Sequence, residues 1–268
     1  MNTSSLAPLN PQLSSSQVAA SQTPFIEPEW VTRMKQRVAS RAGDRAPNRS
    51  TEFNTADIIE RQMQQEGHRK WGFVIYRSTY DNEEEWEEFL RRVRFHTEEY
   101  LGFYGGRDLL ESFELTVLSD QLLFNEASTD TIRRHFQQWC VSTWQSEQEP
   151  PGEQGTGTIL RMGWSARYRF AVQVDKEALH SVLHDAPAPP KHDLANKGWV
   201  KLIDKTWYLG RGGSSSTDNV DFPPIDGLSL EDLGWMKVPY SNLTYHYQHC
   251  GMPNFWAMSY RRPPQVLD

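Results

Sequence analysis

The chain has 268 residues, of which 37% are hydrophobic and 12% aromatic, and its formal net charge is −7. This acidic balance argues against a nucleic-acid-binding protein, because neutralising phosphates requires a clustered basic surface. No apolar run approaches the ~20 residues that cross a bilayer, no secretory signal opens the sequence, and two cysteines are too few for a disulfide framework. We therefore expect an intracellular protein, cytoplasmic or nuclear.

Residues 1–55 predict a disordered arm. Their first half is rich in Ser, Pro, Gln and Ala, with too few large apolar groups to offset the entropy of ordering. Residues 28–40 predict a short helix, whose apolar stripe is formed by Trp30, Met34 and Val38. Such a helix either docks on the domain or binds a partner.

Residues 56–268 predict a single α+β domain. Its first strand, Trp71–Tyr80, is apolar on both faces, which is typical of a strand buried within a sheet. The following segment, DNEEEWEEFLRRVRFHTEEYL, predicts a helix capped by Asp81 or Asn82, with its glutamates in the first turn, where the helix dipole favours negative charge. The acidic run therefore indicates a helix start rather than a metal site.

The remaining elements alternate in type. The order strand, helix, strand, helix, strand predicts an antiparallel or mixed sheet with helices packed on it. If residues 121–124 (QLLF) form a strand, the order becomes that of a ferredoxin-like sandwich. The elements are a strand at 113–119, a helix at 128–144, a linker at 146–158, a strand at 167–175, a helix at 176–184, a strand at 198–209, a long loop at 210–227 and a last strand at 254–262.

Several short segments form a distinctive combination across residues 70–264. They are the GFVIYR start, the RYRFAVQVD strand, the GWVKL and GWMKV segments and the basic, proline-containing RRPP end. Together they resemble a family of fungal (ascomycete) proteins with no established activity. The resemblance implies a fungal, intracellular, single-domain protein, and it implies no activity, cofactor or functional residue.

The segment TYHYQHC places His246, His249 and Cys250 close together. On a helix, two imidazoles and a thiolate could bind zinc, which requires three or four such ligands. However, no further ligand occurs at a recognisable spacing, and Leu243 and Tyr247 share the same helical face. We therefore predict that this helix packs in the core and that its cysteine and histidines are not metal ligands.

His180 and His184 raise the same question, since their spacing suits two ligands on one helical turn. No glutamate lies between them to act as a base, and the helix is short. A solvated or capping role near the helix C-terminus, where histidine can meet the dipole, is the preferred interpretation.

Arg77 leaves an apolar face at the C-terminal end of the first strand, where sites tend to lie in α/β folds. The alternative is an ion pair with a helix carboxylate, since buried arginines are normally paired. Arg167 and Arg169 alternate on a later strand, where they frame an anionic ligand or lie on an exposed sheet face. The candidate ligand-binding residues are Arg77, Tyr80, Arg167, Arg169 and His246; no catalytic residue, metal ligand or cofactor is assigned.

No catalytic signature rises above chance in this sequence. The glycines of GRGGSSS lack phosphate-loop spacing, and no nucleophile–base pattern is present. We therefore predict a non-catalytic module that binds a protein or a small molecule, and neither nucleic acid nor membrane. The alternative is a small cofactor-free enzyme of fungal secondary metabolism, formed when ferredoxin-like domains pair as a homodimer around an aromatic-lined pocket.

Overall fold

A mixed β-sheet organises the fold. The computed structural model describes residues 29, 32–33, 54–148, 165–209 and 222–268. Its strands are Val74–Arg77 (β1), Thr116–Leu118 (β2), Phe170–Val174 (β3), Trp199–Asp204 (β4) and Trp235–Pro239 (β5). Within these ranges the sheet has the order β2-β1-β3-β4-β5. β1 is parallel to both β2 and β3, whereas β3 with β4 and β4 with β5 are antiparallel.

Eight α-helices connect and cover these strands within the described ranges. They are α1 (Thr55–Glu66), α2 (Glu83–Phe103), α3 (Gln121–Phe124), α4 (Thr129–Gln148), α5 (Ala166–Arg169), α6 (Lys176–His180), α7 (Leu243–Cys250) and α8 (Phe255–Ser259). A π-helical turn at Ser181–Asp185 continues α6, and 3₁₀-helices occur at Arg107–Glu111 and Tyr240–Asn242. None of the described helices is long and apolar enough to cross a membrane.

The predicted start of α2 is confirmed. The side chain of Asn82 accepts hydrogen bonds from the backbone N–H groups of Glu84 and Glu85, so it caps the helix. Glu83, Glu84 and Glu85 occupy the first turn. The acidic run of the sequence is therefore a helix N-terminus.

Helices cover both faces of the sheet. Successive side chains of β1 point to opposite faces, so this strand contributes to two cores. Ile75 belongs to one core, in which Phe89 of α2 is buried. Val74 belongs to the other, in which Phe136 of α4 is buried. All residues of β1 are buried, as its apolar sequence on both faces predicts.

The ferredoxin-like sandwich is not confirmed. Residues 121–124, considered as a strand, form helix α3, which Asp120 caps. Helices also lie on both faces of the sheet, whereas a ferredoxin-like fold carries them on one. From β1 the chain passes through α2 to β2 on one side, and then through α4 to β3 on the other side of β1.

Four other assignments differ from the sequence prediction or lie outside the described residues. Arg167 and Arg169 belong to helix α5 rather than to a strand, and the predicted last strand contains α8 instead. The linker predicted from residue 146 begins later, since α4 continues to Gln148. The predicted helix at 28–40 lies almost wholly outside the described residues.

Candidate functional site

A crevice of about 370 Å³ opens at the carboxyl ends of β1 and β3. These strands are parallel neighbours, but the chain leaves β1 toward β2 and leaves β3 toward β4, on opposite sides. Where connections diverge in this way, neither of them covers the edge of the sheet, and open α/β sheets bind ligands at this point. The crevice is lined by the segments that follow β1 and β3, by the segment that precedes α4, and by Lys201 and Asp226.

The floor of the crevice is made of buried polar groups. Ser78 and Thr79, directly after β1, are buried, as is Thr129 at the start of α4. Beneath them lies Gln173 of β3, which is fully buried. Its Nε2 donates to Ser78 Oγ at 3.1 Å and to the carbonyl oxygen of Ala127 at 2.8 Å. Its Oε1 has no hydrogen-bond partner among the described residues.

Both lysines of the crevice are paired with aspartates that also line it. Lys201 Nζ lies 2.7 Å from Asp175 Oδ2, and Lys176 Nζ lies 2.8 Å from Asp81 Oδ2. The Lys201 ammonium also lies over the ring of Trp235, 4.7 Å from its centroid. Asp175 in addition caps α6, because its side chain accepts from the backbone N–H of Ala178. The lysine charges are therefore largely neutralised within the site.

Two further carboxylates line the crevice without an ion pair in the described part of the chain. Glu126 and Asp226 both have a left-handed backbone, with φ of 53° and 51°. Asp226 lies in a tight two-residue turn with Gly227, where this conformation is required. Glu126 is held by its backbone N–H, which donates to the carbonyl oxygen of Ser78 at 3.0 Å. Both side chains are exposed at the rim.

Arg77 lies at the end of β1 but on the side of α2, and it does not line the crevice. Its Nη1 is 2.7 Å from Glu83 Oε2, and its Nε donates to the carbonyl oxygen of Thr79. The guanidinium lies over Tyr80, 4.6 Å from the ring centroid, and over Trp86 at 5.0 Å. The ion pair with a helix carboxylate, one of the two interpretations of the sequence, is therefore present.

Arg167 is fully buried at the opposite end of β1. Its Nε and Nη2 lie 2.9 and 2.7 Å from the two carboxylate oxygens of Glu147, and Nη1 donates to the carbonyl oxygen of Gly72 at 2.9 Å. Burial alone would raise the pKa of Glu147, but the hydrogen bonds and charge of Arg167 hold it below its ordinary value. Arg167 thus joins α4 to the sheet. Arg169, also buried, lies against the ring of Phe170 at 5.0 Å.

The helix predicted for TYHYQHC is confirmed as α7, and its predicted inner face is buried. Burial lowers the pKa of His246 to about 4, with the charge of His249 as a smaller cause, and burial raises the pKa of Cys250. No group of three or more His, Cys, Asp or Glu side chains in the described ranges could hold a metal ion. His246 is therefore a buried neutral imidazole.

The histidines of α6 and its π-helical extension lie at the surface. His180 is 3.6 Å from Asp185, and His184 is 3.5 Å from Glu85, with half or more of each imidazole exposed. This is the solvated arrangement preferred from the sequence.

Comparison of the chain with models of known protein families, with curated proteins and with solved structures finds no match. The resemblance to a fungal family therefore stays a prediction.

The structure does not bring the sequence candidates together, since Arg77 and Arg167 lie at opposite ends of β1. Sequence reasoning missed the crevice residues Ser78, Thr79 and Asp175. The signal that could have found them is their position directly after two strands that meet at one sheet edge.

Proposed function

We propose that this chain is a non-catalytic module that binds a small polar molecule in the crevice. The observation that carries the proposal is a cavity of about 370 Å³ at the carboxyl ends of two parallel strands. Small-molecule sites typically enclose roughly 300–1,000 Å³. The buried hydroxyl groups of Ser78, Thr79 and Thr129 on its floor select a ligand with hydrogen-bonding groups.

The chemistry of the lining supports binding rather than catalysis. No imidazole or thiol lines the crevice in the described ranges. A serine nucleophile needs a base within hydrogen-bond reach, but the partner of the Ser78 hydroxyl is the amide of Gln173. The carboxylates of Asp81 and Asp175 are engaged by lysines. The lining therefore supplies donors and acceptors that hold a molecule in place.

The alternative, a small cofactor-free enzyme, requires a pocket lined by aromatic side chains. Among the described residues, no aromatic side chain lines the crevice, and Arg77 faces α2. No specific observation favours that alternative. The fungal and intracellular setting implied by the resemblance is retained as part of the proposal.

The proposal is tested by a ligand-observed NMR screen of polar compounds, covering polyols, sugars, amines, amino acids and small acids. Asn125→Trp places a bulky ring at the crevice, where Asn125 is exposed and lines the opening. Gln138→Trp, at an exposed position of α4, is the matched control. We expect compounds that bind the wild type and Gln138→Trp but not Asn125→Trp. Equal binding to both variants, or no binding compound at all, would contradict the proposal.

A further inference from the structure

An aromatic surface lies where the C-terminal end of α2 meets α7. It consists of Tyr100, Phe103 and Tyr104 at the end of α2 and of Tyr245 and His249 on α7. The ring of Tyr100 lies 5.0 Å from that of Tyr104 and 6.4 Å from that of Tyr245. Tyr245 is 39% exposed, and the other four side chains are half-buried. Contiguous groups of this kind mark interaction sites, whereas single exposed apolar side chains do not.

The chain enters the domain beside this aromatic surface. Asn54 caps the start of α1 with its side chain. The hydroxyl groups of Thr55 and Tyr100 are hydrogen-bonded to each other at 3.2 Å. Ala56 packs against Gly106, just beyond the end of α2, where any larger side chain would collide with it. The residues that precede Asn54 are therefore tethered at the edge of the aromatic surface.

The described residues near the N-terminus identify the polar side of a helix. Glu29 and Arg33 are helical, and their side chains are 80% and 73% exposed. Arg33 Nη2 donates to Glu29 Oε1 at 2.6 Å, across one helical turn. At about 100° per residue, the sequence places Trp30, Met34 and Val38 about 120° around the helix from this ion pair. The ion pair thus marks the solvent side, and the apolar residues form a separate side.

The tether and the charge both bring this segment to the domain. Residues 41–53 separate it from Asn54, and they span about 45 Å when extended or about 20 Å as a flexible chain. Such a tether gives an effective concentration on the order of 1 mM. Residues 28–53 carry six basic and three acidic side chains, in a chain whose net charge is −7. They are therefore attracted electrostatically to the remainder of the protein, which is more acidic than the whole.

We infer that residues 28–40 dock as a helix on the aromatic surface of their own chain, with Trp30 and Met34 against its tyrosine rings. Tryptophan buries a large apolar area in edge or offset contact with other rings, and methionine sulfur packs well against them. The ion pair of Glu29 with Arg33 then faces solvent. Because of the tether, an intrinsic dissociation constant of about 0.1 mM keeps about 90% of the chains docked.

Paramagnetic relaxation enhancement in the full chain tests this inference. Cys140 and Cys250 are both buried, so a nitroxide label is attached to Thr32→Cys, at an exposed helical position. The label then sits outside the proposed contact and reports on the position of the segment. We expect the strongest broadening at the amide signals of the aromatic surface, and none at those of the crevice.

Three variants test the contact itself. Trp30→Ser/Met34→Ser removes two apolar side chains, each of which should weaken docking about tenfold, so the docked fraction and the broadening should fall to about a tenth. Tyr245→Gln should reduce the docked fraction to about half. Tyr208→Gln is the matched control, because Tyr208 is 64% exposed and lies outside the aromatic surface; it should leave the broadening unchanged. Trp30→Ser/Met34→Ser keeps the test decisive if Tyr245→Gln does not fold.

Other outcomes would overturn the inference. In a mixture of spin-labelled chains and isotope-labelled chains, broadening as strong as in the doubly labelled chain would show that a second copy supplies the segment. Weak, even broadening would show that the segment does not dock and is left for another partner. Broadening centred on another surface, retained in Trp30→Ser/Met34→Ser, or reduced equally by Tyr245→Gln and Tyr208→Gln would show that the assigned contact is wrong.

Discussion

Replacing Arg167 by methionine should destabilise the fold more than removing any other ion pair described above. The side chain of Arg167 is fully buried, and that of its partner Glu147 is 11% exposed. Its loss leaves a carboxylate in the interior without its cation and removes the donor that reaches the carbonyl oxygen of Gly72. Breaking one partner of a buried pair costs about 3–5 kcal/mol, and we expect a loss of this size in the free energy of unfolding.

A double-mutant cycle separates the ion pair from general disruption. Glu147→Gln alone keeps one oxygen that can accept from Arg167 but leaves that buried cation unpaired, so it should cost about 3 kcal/mol, the lower end of this range. The double variant Arg167→Met/Glu147→Gln should cost less than the sum by at least about 1 kcal/mol. Glu83→Gln is the control, because Glu83 is 69% exposed in its pair with Arg77 and should contribute less than about 1 kcal/mol. The assay is urea unfolding followed by tryptophan fluorescence and circular dichroism. Additive costs within error would refute the reasoning.

The same pair predicts a dependence on pH. Because the folded-state pKa of Glu147 lies below its ordinary value, its contribution is present above the unfolded pKa of about 4.3 and is lost as pH falls through the folded pKa. Unfolding curves in acid should therefore show a smaller loss of stability for Glu147→Gln than for the wild type. An equal acid sensitivity in the two proteins would contradict the role assigned to Arg167.

Two further predictions concern other buried positions. His246, whose pKa is lowered from 6.5 to about 4, is neutral in the fold but protonated in the unfolded chain below about pH 6.5, so stability falls as pH drops toward 4. His246→Phe should remove about 3 kcal/mol of that loss, and His180→Gln, at an exposed position, is the control. The free energy of unfolding is measured at pH 4 and at pH 7.5, and an equal loss between these pH values in the two variants would contradict this. Gly234 and Gly227 both have positive φ, but only at Gly234 would a Cβ meet the ring of Trp207. Gly234→Ala should therefore lower the free energy of unfolding by about 2–4 kcal/mol and Gly227→Ala by about 1 kcal/mol; similar costs would refute the close contact.

Elements with local signals were predictable from the sequence. Helix α2 follows from the capping residue Asn82, its acidic first turn and its apolar stripe, which all lie within one segment. Helix α7 likewise follows from its periodic apolar face. The short apolar run at 121–124 has no period that separates strand from helix, and there the Asp120 cap decides for a helix.

Elements that depend on distant partners were not predictable. The sequence predicts a linker at the end of α4, because prolines follow this segment. Yet Gln148 stays helical while its side-chain oxygen accepts from the backbone N–H groups of Arg69 and Lys70, and Glu147 meets Arg167. The crevice depends on strand order, which no single segment encodes. Its residues lie in five parts of the chain and come together only because β1 and β3 are neighbours.

The central claim is that the carboxyl ends of β1 and β3 form the ligand site, and amide chemical-shift mapping tests it most directly. The best compound from the polar screen is titrated into the full chain while the backbone amide signals are followed. The account predicts that the largest shifts occur at Ser78, Thr79, Thr129 and Asp175, in the segments that line the crevice. Shifts concentrated at the opposite edge of the sheet around Arg167, with these four signals unmoved, would contradict it.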